Sequence, residues 1–255
     1  MIEDIIPLLE FDPDPESIVK PEGCPLPGQP PQLGVLCFFN DILAELAAAQ
    51  RLVEVGHLSS EIGYNPLYEL DFRGKKLLVL HPGVGAPLAA GFLEEMIAMG
   101  VTKFIACGGC GVLDSGIEAG LPVILTSAVR DEGTSFHYLP PAREVQASPA
   151  AVSALENVFL EKKLLHRTGK SWTTDAFYRE TRARREKRVQ EGCLVVEMEA
   201  AAFFAVARFR SVTFGQVVYC GDLVVPEGWD MRSWNHRRSD RELLFWLAVE
   251  ACAAM

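Results

Sequence analysis

The sequence predicts an α/β fold, three layers deep (α-β-α), around a central, mostly parallel twisted sheet. Three observations predict it. Short apolar runs alternate with segments whose apolar residues recur at helical spacing, the pattern of strands joined by covering helices. Several strand-like runs are apolar throughout, so both faces of the sheet must be covered. The runs end in glycine-rich or polar punctuation, which gathers at one rim of such a sheet, beyond the strands' carboxyl ends, where ligands bind.

The elements follow in order. Residues 1–32 hold "FDPDPESIVKPEGCPLPGQPPQ", too rich in proline for a helix or a central strand, and are read as an arm laid over the surface. Residues 33–255 are read as one domain. "LGVLCFF" (33–39) is a buried strand and "DILAELAAAQRL" (41–52) a helix capped by Asn40 or Asp41. "KKLLVLHPGVGAP" (75–87) is a strand running into a glycine turn, followed by a helix from Pro87 to its stop at Gly100. "KFIACGGCGVL" (103–113) repeats the strand-then-glycine form, and 121–133 is a further strand. A helix at about 148–163, a short strand near "LLHRTGKSWTT" and a helix through "FYRETRARREKRVQEG" come next. "CLVVEME" is a strand, "AAAFFAVARF" a helix, "TFGQVVYCGDLVV" (213–225) a strand and "SDRELLFWLAVEACAA" the last helix.

The 255 residues are 49% hydrophobic and 23% charged, sufficient for one large core. A formal net charge of -10 disfavours nucleic acid or an anionic membrane as partner. The one basic cluster, "RETRARREKR" (179–188), interleaves glutamates at helical spacing and reads as a solvated helix face. No run is long enough to span a membrane, and the first residues are acidic where a signal peptide is basic, so a cytoplasmic protein is expected. Cys107 and Cys110 form a C-x-x-C without the second pair or histidines of a zinc site; no metal and no cofactor are expected, and the cysteines read as small buried hydrophobes.

The chemistry is concentrated in the punctuation. Gly83-Val84-Gly85 and Gly108-Gly109-Cys110-Gly111 could offer backbone N–H groups to an anion, although neither matches a P-loop or dinucleotide fingerprint. Phe177 and Tyr178 could stack on a planar ring. Asp222, at the end of an apolar strand beside Gly221, is costly unless paired, exposed in a cleft or used. Glu197 and Glu199 bracket Met198; in an extended segment the two acids share one side and the methionine takes the other. A glutamate there could equally serve to cap the helix that follows.

The succession of a glycine turn, "CGGCGVLDSGIEAG", "AVRDEGTSFHYLPP", "TTDAFY", "VVEMEAAAFFAVA" and "YCGD" resembles the nucleoside phosphorylase family, which includes uridine phosphorylases, hexameric purine nucleoside phosphorylases and nucleosidases. The resemblance runs from about Gly34 to the C-terminus. It implies a nucleoside phosphorylase-like fold, cleavage of an N-glycosidic bond, phosphate as co-substrate of a phosphorylase, and a homo-oligomer, dimer or hexamer, whose neighbours complete each site. It implies that Glu199 bonds the ribose hydroxyls, that Met198 packs on the sugar with Glu197 close by, and that Phe177 packs on the base. Thr181 or Arg182 would also meet the base, and Asp222 would protonate it. A carboxylate beside the sugar and a proton donor beside the base both act on the charges that bond breaking creates.

The departures lie on the phosphate side. The loop after the first strand reads "CFFNDIL", without the family's glycine and arginine, and Ala106 and Gly109 stand where an arginine and a threonine or serine are expected. The family's N-terminal histidine has no match, since the first histidine is His57. Three readings stay open. The protein is a phosphorylase holding phosphate on Gly83, Gly108, Gly109 and their neighbours with a relocated arginine such as Arg130 or Arg143; or a hydrolase using Asp41 or Glu45 as base; or a nucleoside-binding protein without turnover.

Overall fold

The computed structural model describes residues 6–255. In chain order its strands and helices are β1 (Leu33–Cys37), α1 (Asn40–Ala48), β2 (Val53–Ser60), β3 (Gly63–Phe72), β4 (Lys75–Leu80), α2 (Ala86–Ala98), β5 (Lys103–Val112), β6 (Pro122–Asp131), β7 (Glu144–Gln146), α3 (Pro149–Glu161), β8 (Arg167–Thr174), α4 (Arg182–Gln190), β9 (Cys193–Glu197), α5 (Ala200–Phe209), β10 (Thr213–Val225), β11 (Gly228–Asp230) and α6 (Arg238–Ala254). The strands form one mixed sheet in the order β11-β10-β6-β8-β9-β5-β1-β4-β3-β2, with β7 on β6 and a further pairing of β10 with β5.

The heart of this sheet is parallel: β4 with β1, β1 with β5, β5 with β10, and β6 with β8 with β9. Its strands are apolar on both faces because both are covered. The helices α2 and α5 pack with Leu36, Ala106 and Phe214 on one side, and α1, α3 and α6 with Val35, Cys107 and Tyr219 on the other. Cys107 and Cys110 therefore lie in different core layers, both free and buried, and cannot act as a redox pair.

The β2–β3 hairpin has no counterpart in the sequence reading. Its burial is shallow and irregular, so neither a continuous apolar run nor strict alternation marks it. Of the arm, residues 1–5 lie outside the described residues; the remainder carries one 3-10 turn at Pro7–Leu9. It is fastened by the Gly23 N–H to Glu95 (2.5 Å) and by Arg210 to the Pro15 carbonyl (2.8 Å). No helix among the described residues is long and apolar enough to cross a membrane.

Candidate active site

The site is set by where two strands stop. Parallel strand β1 runs along one edge of β5 and ends at Cys37 opposite Cys107. Antiparallel strand β9 runs along the same edge from the other end, pairing Val195 with Val112 and Val196 with Gly111. Their carboxyl ends thus approach head to head, and residues 108–110 of β5 have no strand partner on that edge among the described residues. Into this opening lead the loop after β4 with Gly83 and Gly85, the segment 198–199 after β9, the turn 175–181 after β8 and the bulge at 221–222 in β10.

Glu197 and Glu199 do different work. The Glu197 carboxylate accepts hydrogen bonds from Thr173 Oγ1 (2.6 Å) and Ser171 Oγ (3.0 Å) on β8, and from the backbone N–H groups of Ala200 (2.6 Å) and Glu199 (2.8 Å). It caps α5 from two residues before the helix's N-cap, Glu199, and its four bonds leave little capacity for a ligand. Burial pushes its pKa up, and those same donors oppose the rise. Glu199 makes no cap bond to α5; its carboxylate instead accepts the N–H of Gly85 (2.6 Å) and, more weakly, that of Met198 (3.3 Å). It joins the β9 end to the glycine loop. Burial, then the neighbouring Glu197 charge, pushes its pKa up to about 8, so at neutral pH it carries a proton when no ligand is present. Met198 between them is half-buried.

The glycine loop is a true turn at Gly83 and Gly85, with φ +76° and +91°. A side chain at Gly83 would meet Leu88 at 2.2 Å, whereas the space beside Gly85 is open. The Gly83 N–H donates to His81 Nδ1 (3.1 Å), whose ring meets Phe38 edge-on. Burial lowers the His81 pKa, so it stays neutral. His81 is a neighbour of this corner that the sequence reading passed over; a lone histidine before a proline carried no signal.

Gly108 and Gly109 correct an expectation, because they belong to β5 itself and not to a turn, paired with Val218 and Tyr219 of β10. A β-carbon at Gly108 would fall 2.9 Å from the Phe38 ring and one at Gly109 3.3 Å from the Tyr219 ring, so close aromatic packing explains both glycines. Asp41 and Glu45 are likewise drawn away: Asp41 pairs with Arg241 (3.0 Å) and Glu45 with Arg238, both on α6. Neither relocated arginine is available. Arg130 spends its donors on Ser135, Leu139 and Pro140, holding the 133–140 loop, and Arg143 is paired with Glu191.

In the turn after β8, Phe177 is 51% exposed, with Tyr178 against it at 4.2 Å between ring centroids, on a 3-10 turn (Phe177–Arg179). Thr181 is occupied as the N-cap of α4, its hydroxyl accepting the Arg184 N–H, and Arg182 begins that helix, both exposed. The residue before Thr181, Glu180, is half-buried, and burial together with the Asp222 charge pushes its pKa up to about 7. Asp222 accepts the indole N–H of Trp229 (2.6 Å) from β11. The basic cluster is only partly solvated: Arg188 is buried on Asp131, and Arg184 reaches the same carboxylate.

Comparison with known proteins gives the family. The model of the phosphorylase superfamily matches residues 32–243. The chain belongs to that superfamily. Among curated relatives, a guanosine phosphorylase of Halorubrum lacusprofundi is 31% identical over 174 residues, covering 66% of this chain and 70% of the relative. A DeoD-type purine nucleoside phosphorylase of Alkaliphilus metalliredigens is 30% identical over 62% of this chain and 69% of its own length. Two solved structures share the superfamily fold. The uridine phosphorylase of Vibrio fischeri ES114 has a TM-score of 0.74 at 23% identity, covering 94% of this chain and all of the other. The purine nucleoside phosphorylase of Toxoplasma gondii in complex with immucillin-H has a TM-score of 0.75 at 19% identity, covering 89% and 92%.

Proposed function

We propose that the protein is a cytoplasmic, homo-oligomeric nucleoside phosphorylase that splits an N-glycosidic bond with phosphate, giving free base and pentose 1-phosphate. The observation that carries this reading is Glu199, a buried carboxyl at the junction of the β9 end and the glycine loop, held among the described residues by two backbone N–H groups. Ribose hydroxyls donating to it would favour its ionised form, placing negative charge beside a sugar that becomes cationic as the bond breaks. Glu197 is a positioning residue on this reading: it fixes the backbone of Glu199 and touches no sugar. Phe177 supplies a free ring face for the base.

Names of the relatives, guanosine, uridine and purine nucleoside phosphorylase, support the reaction class. The hydrolytic reading needs a carboxylate base near the first strand, and both candidates, Asp41 and Glu45, are committed to arginines of α6. Phosphate would be held by backbone N–H groups about Gly83 and Gly85 and along the open edge of β5, with Gly108 and Gly109 shaping that edge.

The test is a panel of nucleosides assayed with and without phosphate, separating pentose 1-phosphate from free pentose. Strict dependence on phosphate with pentose 1-phosphate as product is expected. Free pentose at equal rate without phosphate would establish hydrolysis instead, and saturable binding with no turnover would establish a binding protein.

A further inference from the structure

The carboxyl end of β10 holds Asp222 at a bulge, across β5 from the Glu199 corner. Strand β5 lies between β10 and β9; its Gly111 stands opposite the bulge on one side and pairs with Val196, next to Glu197, on the other. A β-carbon at Gly111 would fall 2.9 Å from Val196 and 3.5 Å from Asp222 Oδ2, so the carboxylate and the β9 end meet over the same residue. The two outer strands are two spacings apart, about 10 Å, a span that suits a sugar held at one end and its base at the other.

From β11 the indole N–H of Trp229 donates to Asp222 Oδ2 at 2.6 Å, while Asp222 Oδ1 has no hydrogen-bond partner among the described residues. The hairpin that carries the indole is fastened on both sides. Its ladder sets Trp229 opposite Val224, Arg232 donates to the Ile117 carbonyl (2.8 Å), and the Tyr219 hydroxyl donates to the Trp234 carbonyl (2.8 Å). The Trp229 ring is 63% exposed, so apolar burial gives little reason for a tryptophan there, and the bond to Asp222 is what it supplies.

We propose that Trp229 is a positioning residue for protonation of the leaving base: its N–H keeps Asp222 Oδ2 an acceptor, so that Oδ1 carries the proton and faces the base. The inference rests on the phosphorylase reading above. An indole N–H donates and never accepts, so a neutral Asp222 places its proton on the other oxygen. Without that donor either oxygen could hold the proton, and the carboxyl could turn it away from the base.

The step balances, and the contact strengthens during it. The C1′–N bond breaks with its electron pair left on the base, a phosphate oxygen bonds to C1′, and the proton leaves Asp222 Oδ1 for the base. Asp222 becomes a carboxylate and regains its proton from water. A hydrogen bond to an ionised acceptor is stronger than one to a neutral acceptor, so the indole holds Asp222 most tightly as the proton departs. That difference favours the transition state over the bound substrate, by roughly tenfold in rate.

The experiment is a double-mutant cycle. At saturating phosphate, kcat and KM are measured for inosine, guanosine and uridine in the wild type, Trp229→Phe, Trp229→His, Asp222→Ala and the double variant of Trp229→Phe with Asp222→Ala. Trp229→Phe keeps an aromatic ring and loses the donor; it should lose roughly tenfold in kcat with KM nearly unchanged. Trp229→His, which restores a ring N–H, should regain most of that loss. With Asp222 already removed, Trp229→Phe should change nothing further, because the bond it breaks is gone, whereas a merely structural role would cost the same in both backgrounds. In a wild type that needs phosphate, an unaltered kcat in Trp229→Phe, or an equal loss on top of Asp222→Ala, would overturn the inference and leave the phosphorylase reading intact. No turnover of any nucleoside would overturn both.

Discussion

Replacing Glu199 by glutamine should stabilise the unliganded protein, and by an amount that depends on pH. The carboxyl is 6% exposed, and its pKa rises from the ordinary 4.5 to about 8. Because the folded-state value is the raised one, the folded protein holds a proton that the unfolded chain releases above pH 4.5. Stability is then fully present below about pH 4.5, falls by about 1.4 kcal/mol for each unit up to pH 8, and is level above it. At pH 7 the loss is at most about 3 kcal/mol and above pH 9 at most about 5 kcal/mol. A glutamine keeps an oxygen for the Gly85 N–H and never ionises, so it escapes this loss. For a chain of this size about 3 kcal/mol corresponds to a rise in Tm of roughly 6–12 °C. The assay is urea unfolding of wild type and Glu199→Gln without ligand at pH 5.5, 7 and 8.5. A stability difference that did not grow over that range would refute the assignment of a buried, proton-holding carboxyl, whatever the variant did to activity.

Other outcomes follow from neighbouring contacts. Glu197→Ala strips partners from two buried backbone N–H groups and two hydroxyls, and should destabilise by about 3–6 kcal/mol, read by the same urea titration; a loss under about 1 kcal/mol would mean that the α5 start is satisfied otherwise. Gly83→Ala forces a β-carbon to 2.2 Å from Leu88 at a φ of +76°, and should cost about 1–3 kcal/mol while lowering activity more than stability alone explains. An unchanged Tm and kcat/KM in that variant would show that the loop adapts freely.

The sheet's core was legible because its strands are buried on both faces and its helices carry clear stops, as at Gly100. What escaped is what periodicity does not encode. The β2–β3 hairpin is half exposed, and β7 and β11 are three-residue strands that exist only because β6 and β10 offer them an edge. In the site, alternation put Glu197 and Glu199 on one side, but Glu199 leaves the strand with φ -135° and ψ -29°, so one acid turns back to β8 and the other to the glycine loop. The partners that exhaust Glu197, Ser171 and Thr173, lie more than twenty residues earlier, a pairing created by the β8–β9 register and visible in no local motif.

The cations near the nucleophile's side of the site are likewise taken up by partners within this chain. Arg130, Arg143, Arg238 and Arg241 are each committed to carbonyls or carboxylates of this chain, and His81 is kept neutral by burial. An anion entering beside β5 would meet neutral donors, and one of these, the Gly85 N–H, is held by Glu199 until a ribose draws that carboxylate away. Neutral N–H groups bind a phosphate dianion more weakly than a bidentate guanidinium does. Phosphate should accordingly bind poorly alone and better once nucleoside is present, with a KM at the upper end of the usual range, about 1 mM or more. Initial rates over a grid of both substrates measure this directly. A micromolar KM for phosphate, independent of nucleoside, would mean that a cation reaches this corner from a second subunit.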